Sequence, residues 1–202
     1  MTRRLYIVRH GNTFDPGDTV TRVGARTDLP LSRSGRLQAQ ALSAHFKETP
    51  FAEALTSPLR RTRETAETIL AARAAPPPLE IADFLREIDY GPDENRTESD
   101  VIARIGETSI RAWDDNATPP PGWKVDPEAL VSAWKALFER LCRIPPDGRV
   151  LAVTSNGIAR FALRAADEVP ADTALKLKTG AYGVITISGN GLVTVETWNI
   201  RP

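Results

Sequence analysis

The chain has 202 residues, 41% of them hydrophobic and 26% charged, with 26 basic side chains against 26 acidic ones. That length supports one domain with a real core, and the balanced charge offers no global positive field for nucleic acid. A lone Cys142 excludes an internal disulfide and a thiolate metal cluster. The first apolar run is too short for a signal peptide and no segment approaches a membrane span, so the expectation is a cytoplasmic protein with no membrane partner.

Along the chain, strands and helices alternate. "LYIV" (5–8) reads as a buried strand that breaks off into Arg9, His10 and Gly11. After a polar stretch, Ser32 or Ser34 caps a helix to about Phe46, with Leu37, Ala41 and Leu42 on its inner side. "FAEALTS" (51–57) is a short strand, and Ser57 is expected to cap the next helix with Pro58 at its first position. That helix runs to about Ala72, where "APPP" stops it. Residues 79–85 are extended or mixed. Residues 92–127 are proline-rich around a helix at 98–113 and read as an insertion over one end of the sheet. Asp126-Pro127 starts a helix with Leu130, Trp134, Leu137, Phe138 and Leu141 at core spacing. "RVLAVTS" (149–155) is a buried strand followed by the helix "GIARFALRAA", and two alternating runs around Gly189-Asn190-Gly191 form a hairpin. The pattern predicts a single 1–202 α/β domain: three α/β/α layers, a mostly parallel central sheet with an antiparallel edge, and an insertion covering the site.

Three arginines crowd the start of the second helix, where the dipole disfavours cations. Arg60 has Glu64 four residues on and Arg63 has Glu67, but Arg61 has Thr65 and no acid. Arg61 is either a solvated arginine or half of an anion site at the helix end. Ligands in parallel sheets bind beyond the carboxyl ends of strands. Parallel strands would therefore bring Arg9-His10, Ser57 to Arg61 and Ser155-Asn156-Gly157 to one end. Two guanidiniums suit a phosphoryl group, and nearby cations keep an imidazole neutral and nucleophilic. Gly11 allows close backbone approach. One histidine without a cysteine or carboxylate cluster is a poor metal site, so neither metal nor cofactor is expected.

Four ordered stretches, "RHGNT" (9–13), "TDLPLSRSGRLQAQAL" (27–42), "SPLRRTRETA" (57–66) and "LREIDYG" (85–91), resemble the signatures of the histidine phosphatase superfamily, in its cofactor-dependent phosphoglycerate mutase branch. The resemblance implies that His10 is a nucleophile forming a phosphohistidine. It implies that Arg9 and Arg61 bind the phosphoryl oxygens, and that Glu87 protonates the leaving oxygen and then activates water.

The chain departs from that pattern at three places. The family's second histidine falls on Asn156, which either donates its amide to phosphate or caps the following helix. His45 reads as a partly exposed helical residue and no replacement. Pro16 stands where mutase-type relatives often carry an asparagine, for which Asn12 is a candidate substitute, and "PDEN" follows "DYG". The expected function is hydrolysis of a small phosphorylated metabolite. A weakened phosphate-binding homologue is the alternative and a mutase the third reading. Trp113 and Trp123, in the insertion, either shape the substrate end or pack the core.

Overall fold

The computed structural model describes residues 2–202. Six strands form one sheet in the order β3-β2-β4-β1-β5-β6. β1 (Thr2–Arg9) lies inside it, parallel to β4 (Arg149–Thr154) and antiparallel to β5 (Tyr182–Ser188). β2 (Glu53–Thr56) and β3 (Leu79–Ile81) extend the parallel side, and β6 (Val193–Ile200) pairs antiparallel with β5 at the other edge. The helices are α1 (Arg33–His45), α2 (Arg60–Ala71), α3 (Glu98–Asn116), α4 (Pro127–Leu141) and α5 (Asn156–Ala165).

Side chains alternate across a strand, and β1 shows what each face meets. Leu5 and Ile7 enter one hydrophobic cluster with Trp134 and Phe138 of α4 and Phe161 of α5. Tyr6 and Val8 join a second with Leu42 of α1, Phe46, and Ala66 and Ile69 of α2. β4 divides the same way, Val150 and Ala152 to the first cluster and Leu151 and Val153 to the second. Strands covered on both faces read as continuous apolar runs, which is why "LYIV" and "VLAV" carry no polar alternation. The sheet is thus the middle of three layers, as expected, and the hairpin supplies the antiparallel edge. No helix among the described residues is long and apolar enough to cross a membrane.

Three local expectations are corrected. In α1 the inner face is Gly35, Ala39, Leu42 and Ser43, while Leu37 is 59% exposed and Ala41 also faces solvent. Small residues line that face because the backbone behind it is very close: a Cβ on Gly11 would lie 2.3 Å from the Gly35 carbonyl oxygen, and one on Gly35 2.0 Å from that of Asn12. The approach that Gly11 permits is therefore to α1. Ser32, not Ser34, caps this helix, accepting from Gly35 N at 3.1 Å.

α2 begins at Arg60 and not at Pro58. Ser57 Oγ accepts from Leu59 N at 3.2 Å and shares a hydrogen with Thr62 Oγ1 at 2.7 Å, holding an extra turn before the helix. The carboxylate that meets the helix end is distant in sequence: Asp28 Oδ1 accepts from Arg60 N at 2.7 Å. The third correction is in the 92–127 segment, where α3 reaches Asn116 and breaks at Gly106 (φ 78°, ψ 153°). Trp113 and Trp123 stack edge to face at 5.3 Å inside the first cluster.

Candidate active site

A cavity of about 790 Å³ opens beyond the carboxyl ends of β1 and β4, lined by Arg9, His10, Asn12, Glu87 and Asn156 among others. The topology does bring the three separated stretches together. His10, 6% exposed, sits on the cavity floor. Its Nδ1 lies 2.7 Å from the Gly11 carbonyl oxygen and its Nε2 3.2 Å from Arg61 Nε. A carbonyl oxygen only accepts and a guanidinium only donates, so the two neighbours fix one tautomer. Nδ1 carries the hydrogen and donates to Gly11, while Nε2 keeps its lone pair. Burial holds the imidazole pKa well below 6.5, and the cations Arg61 and Arg9 lower it further. Burial ranks ahead of the two cations that the sequence suggested.

Arg61 is fully buried and does not line the cavity. Each of its nitrogens donates within the protein: Nε to His10, Nη1 to the Thr27 carbonyl at 2.9 Å, Nη2 to that of Gly24 at 3.3 Å. Its neighbours behave as their spacing predicts. Arg60 pairs with Glu64 at 3.3 Å and Arg63 with Glu67 at 3.9 Å, both on the surface. Arg9 reaches the cavity with Nη1 tied to the Leu177 carbonyl at 2.8 Å and its buried Nε without a partner.

Glu87 is 5% exposed. Its Oε1 accepts from Ile88 N at 3.0 Å and its Oε2 from Gly157 N, in the first turn of α5, at 3.3 Å. A carboxylate suits that helix end. Gly157 makes it possible: a Cβ there would lie 2.2 Å from Glu87 Oε1. Asn156 lines the cavity as the first residue of α5, and its Oδ1 accepts from Leu177 N at 2.8 Å. It makes no cap of its own helix, so the capping alternative is set aside. Asn12 Nδ2 donates to Ser34 Oγ at 3.1 Å and keeps one further N–H. Pro16 lies on the cavity rim, and His45 stands apart on α1, 2.8 Å from Tyr182 Oη.

Sequence reasoning missed four residues here. Asp15 caps α1 from the cavity rim, accepting from Ser34 N and Arg33 N, and the Ser34 contacts pull its pKa down to about 2. Tyr90 is buried in the lining, with its hydroxyl pKa raised by burial and then by Glu87. Arg22, over the rings of Trp123 and Tyr90, and Arg160, over Trp113, are two further lining guanidiniums. Two arginines, Arg160 and Arg164, interrupt the run "GIARFALRAA", and Arg160 lies four residues after Asn156.

A neutral imidazole of fixed tautomer among guanidiniums, with a buried carboxylate across the cavity, is the equipment of a phosphomonoesterase, and the fold and site define that class. The model of the histidine phosphatase superfamily (branch 1) matches residues 5–201, and the chain belongs to that family. Among its relatives is 2,3-bisphosphoglycerate-dependent phosphoglycerate mutase 2 of Gloeobacter violaceus, 29% identical over 155 residues, covering 76% of this chain and 70% of that one. Another is the adenosylcobalamin/alpha-ribazole phosphatase of Salmonella typhimurium, 27% identical over 203 residues, covering 98% and 96%. The solved structure of a mycobacterial glucosyl-3-phosphoglycerate phosphatase shares the fold, with a TM-score of 0.80 at 19% identity over 99% of this chain and all of that one.

Proposed function

We propose that the protein hydrolyses a small phosphorylated metabolite in the cytoplasm, with His10 as nucleophile. The observation that carries this is the His10 clamp: Gly11 and Arg61 hold the ring with Nε2 unprotonated on the floor of a cavity. The Nε2 lone pair attacks phosphorus, an N–P bond forms and the ester P–O bond breaks. Glu87, entering this step as the carboxylic acid, gives its proton to the leaving oxygen and becomes the carboxylate. It then takes a proton from water as the water oxygen attacks phosphorus and the N–P bond breaks, releasing phosphate and restoring both groups.

The Arg61 contact to Nε2 is long at 3.2 Å and is released as phosphorus approaches. Arg61 then turns its remaining N–H groups, with Arg9 and the amides of Asn156 and Asn12, to the phosphoryl oxygens. Residues 92–127 form the wall that selects the organic part of the substrate. Phosphatase names among the relatives, one of which covers almost the whole chain, support hydrolysis over transfer to a second substrate.

Incubation with labelled p-nitrophenyl phosphate tests the reading. The expected result is phosphate release through an acid-labile phosphoprotein, both abolished in His10→Ala. Undiminished turnover in His10→Ala overturns it.

A further inference from the structure

We propose that Arg160 is a further phosphoryl-binding residue, supplying from α5 the fixed positive charge that Asn156, one helical turn earlier, cannot carry. This rests on the phosphatase reading. Arg160 is fully buried and lines the same cavity as Arg9, His10, Glu87 and Asn156. Two of its nitrogens serve to hold it. Nη1 donates to the Trp113 carbonyl and Nε, more weakly, to the Asn156 carbonyl at 3.4 Å. The guanidinium lies over the Trp113 ring at 4.1 Å. Its third nitrogen, Nη2, is buried and has no hydrogen-bond partner among the described residues. The nearest carboxylate oxygen, Asp114 Oδ1, is 3.8 Å away, beyond hydrogen-bond reach, on a side chain 47% exposed.

A buried donor without a partner is costly, more so on a charged group. Arg160 is clamped on three sides with the N–H pair of Nη2 left over, and its side chain lines the cavity. An anion there satisfies Nη2, which Asp114 is too distant to do by a hydrogen bond. The location fits the chemistry. Asn156 is permanently neutral, and its Oδ1 is committed to Leu177 N. Arg160 lies on the helix that carries Asn156, close enough for its charge to act on Arg9 and to be favoured by Glu87. Arg160 places a positive charge that does not titrate one turn along the helix from Asn156.

The competing role is structural, with Arg160 serving only to tie Trp113 and Asp114 to α5. Steady-state turnover of p-nitrophenyl phosphate and inhibition by orthovanadate separate the two, read on the unmodified protein, Arg160→Gln, Arg160→Lys and Asp114→Asn. Arg160→Gln is expected to lower kcat/KM about a hundredfold and to weaken orthovanadate at least tenfold. Asp114→Asn should stay within about threefold on both. If Arg160→Gln does not fold, Arg160→Lys keeps the charge but loses the fork, and orthovanadate should weaken at least fivefold.

Orthovanadate affinity unchanged in a folded Arg160 variant overturns the proposal, as does an Asp114→Asn loss equal to that of Arg160→Gln. An unmodified protein whose turnover is independent of His10 removes the phosphatase reading and this proposal with it. His10-dependent turnover with no Arg160 effect removes the proposal alone.

Discussion

The two sides of the site spend their arginines differently, Arg61 from behind the cavity lining and Arg22 and Arg160 within it. On the α2 side, every nitrogen of Arg61 already donates to the protein, and the beneficiary is His10. On the side formed by the 92–127 segment and α5, Arg22 and Arg160 lie over aromatic rings, and each keeps a buried nitrogen without a partner, Nε and Nη2. One side is internally complete and sets the state of the nucleophile. On the other, Arg22 already pairs with Glu98 through Nη2, and what is left open is hydrogen bonding, at Arg22 Nε and Arg160 Nη2. Before phosphate enters, Arg61 holds His10, while Arg160 keeps Nη2 without a partner.

The sharpest way to break this contrast is at Arg61. Its replacement by Ala should remove both the contact to Nε2 and a depressing charge, with a rate loss of about a hundredfold or more. The His10 titration should also move upward. With two histidines in the chain, imidazole proton NMR resolves it, and an unmoved His10 resonance would show that the complete side does not control the nucleophile.

Gly157→Ala comes next. The new methyl would lie 2.2 Å from Glu87 Oε1, so Glu87 must leave the end of α5. Turnover should fall about tenfold or more while thermal unfolding stays cooperative. Full activity would mean that Glu87 needs no fixed seat.

A smaller effect concerns acid. The His10 pKa lies well below 6.5, so its part in kcat/KM should be flat through pH 6.5, with its acid limb far lower. In the same window the unfolded imidazole takes up a proton that the folded one refuses. Stability should therefore decline as pH falls from about 6.5 towards the folded value, then level off. A His10-dependent acid limb near 6.5 would contradict the buried, cation-flanked setting. The smallest effects belong to Arg60→Ala and Arg63→Ala, whose surface pairs are worth little. Each should change kcat/KM less than about twofold, and a large loss at either would place the functional face of α2 wrongly.

Much of this arrangement was legible because it was local. The strand that ends in Arg9-His10-Gly11, the i,i+4 acids that single out Arg61, and the hairpin glycines are all short-range signals. What escaped was set by distant partners. Leu37 and Leu42 lie five residues apart, about 140° around a helix, so they could not share one inner face. The choice between them fell to the close approach of Gly11 and Gly35. Ser57-Pro58 looked like a helix start, but the acid that meets α2 is Asp28, over 30 residues earlier. Arg160 was not singled out within the helix "GIARFALRAA", because its aromatic platform, Trp113, comes from a segment whose path the sequence leaves undetermined.

The parallel pairing of β1 with β4 joins Arg9 to Thr154, and it has a consequence for how the protein is made. His10 meets Arg61 across 51 positions, Gly157 meets Glu87 across 70, and Arg9 meets Leu177 across 168. Contacts so remote in sequence close late and slowly, because loop entropy is lost before they form. The first strand therefore waits, with its histidine already in place in the chain, for partners that leave the ribosome long after it. Catalytic competence becomes a property of the finished chain, and activity during refolding a clock for the last long-range closure.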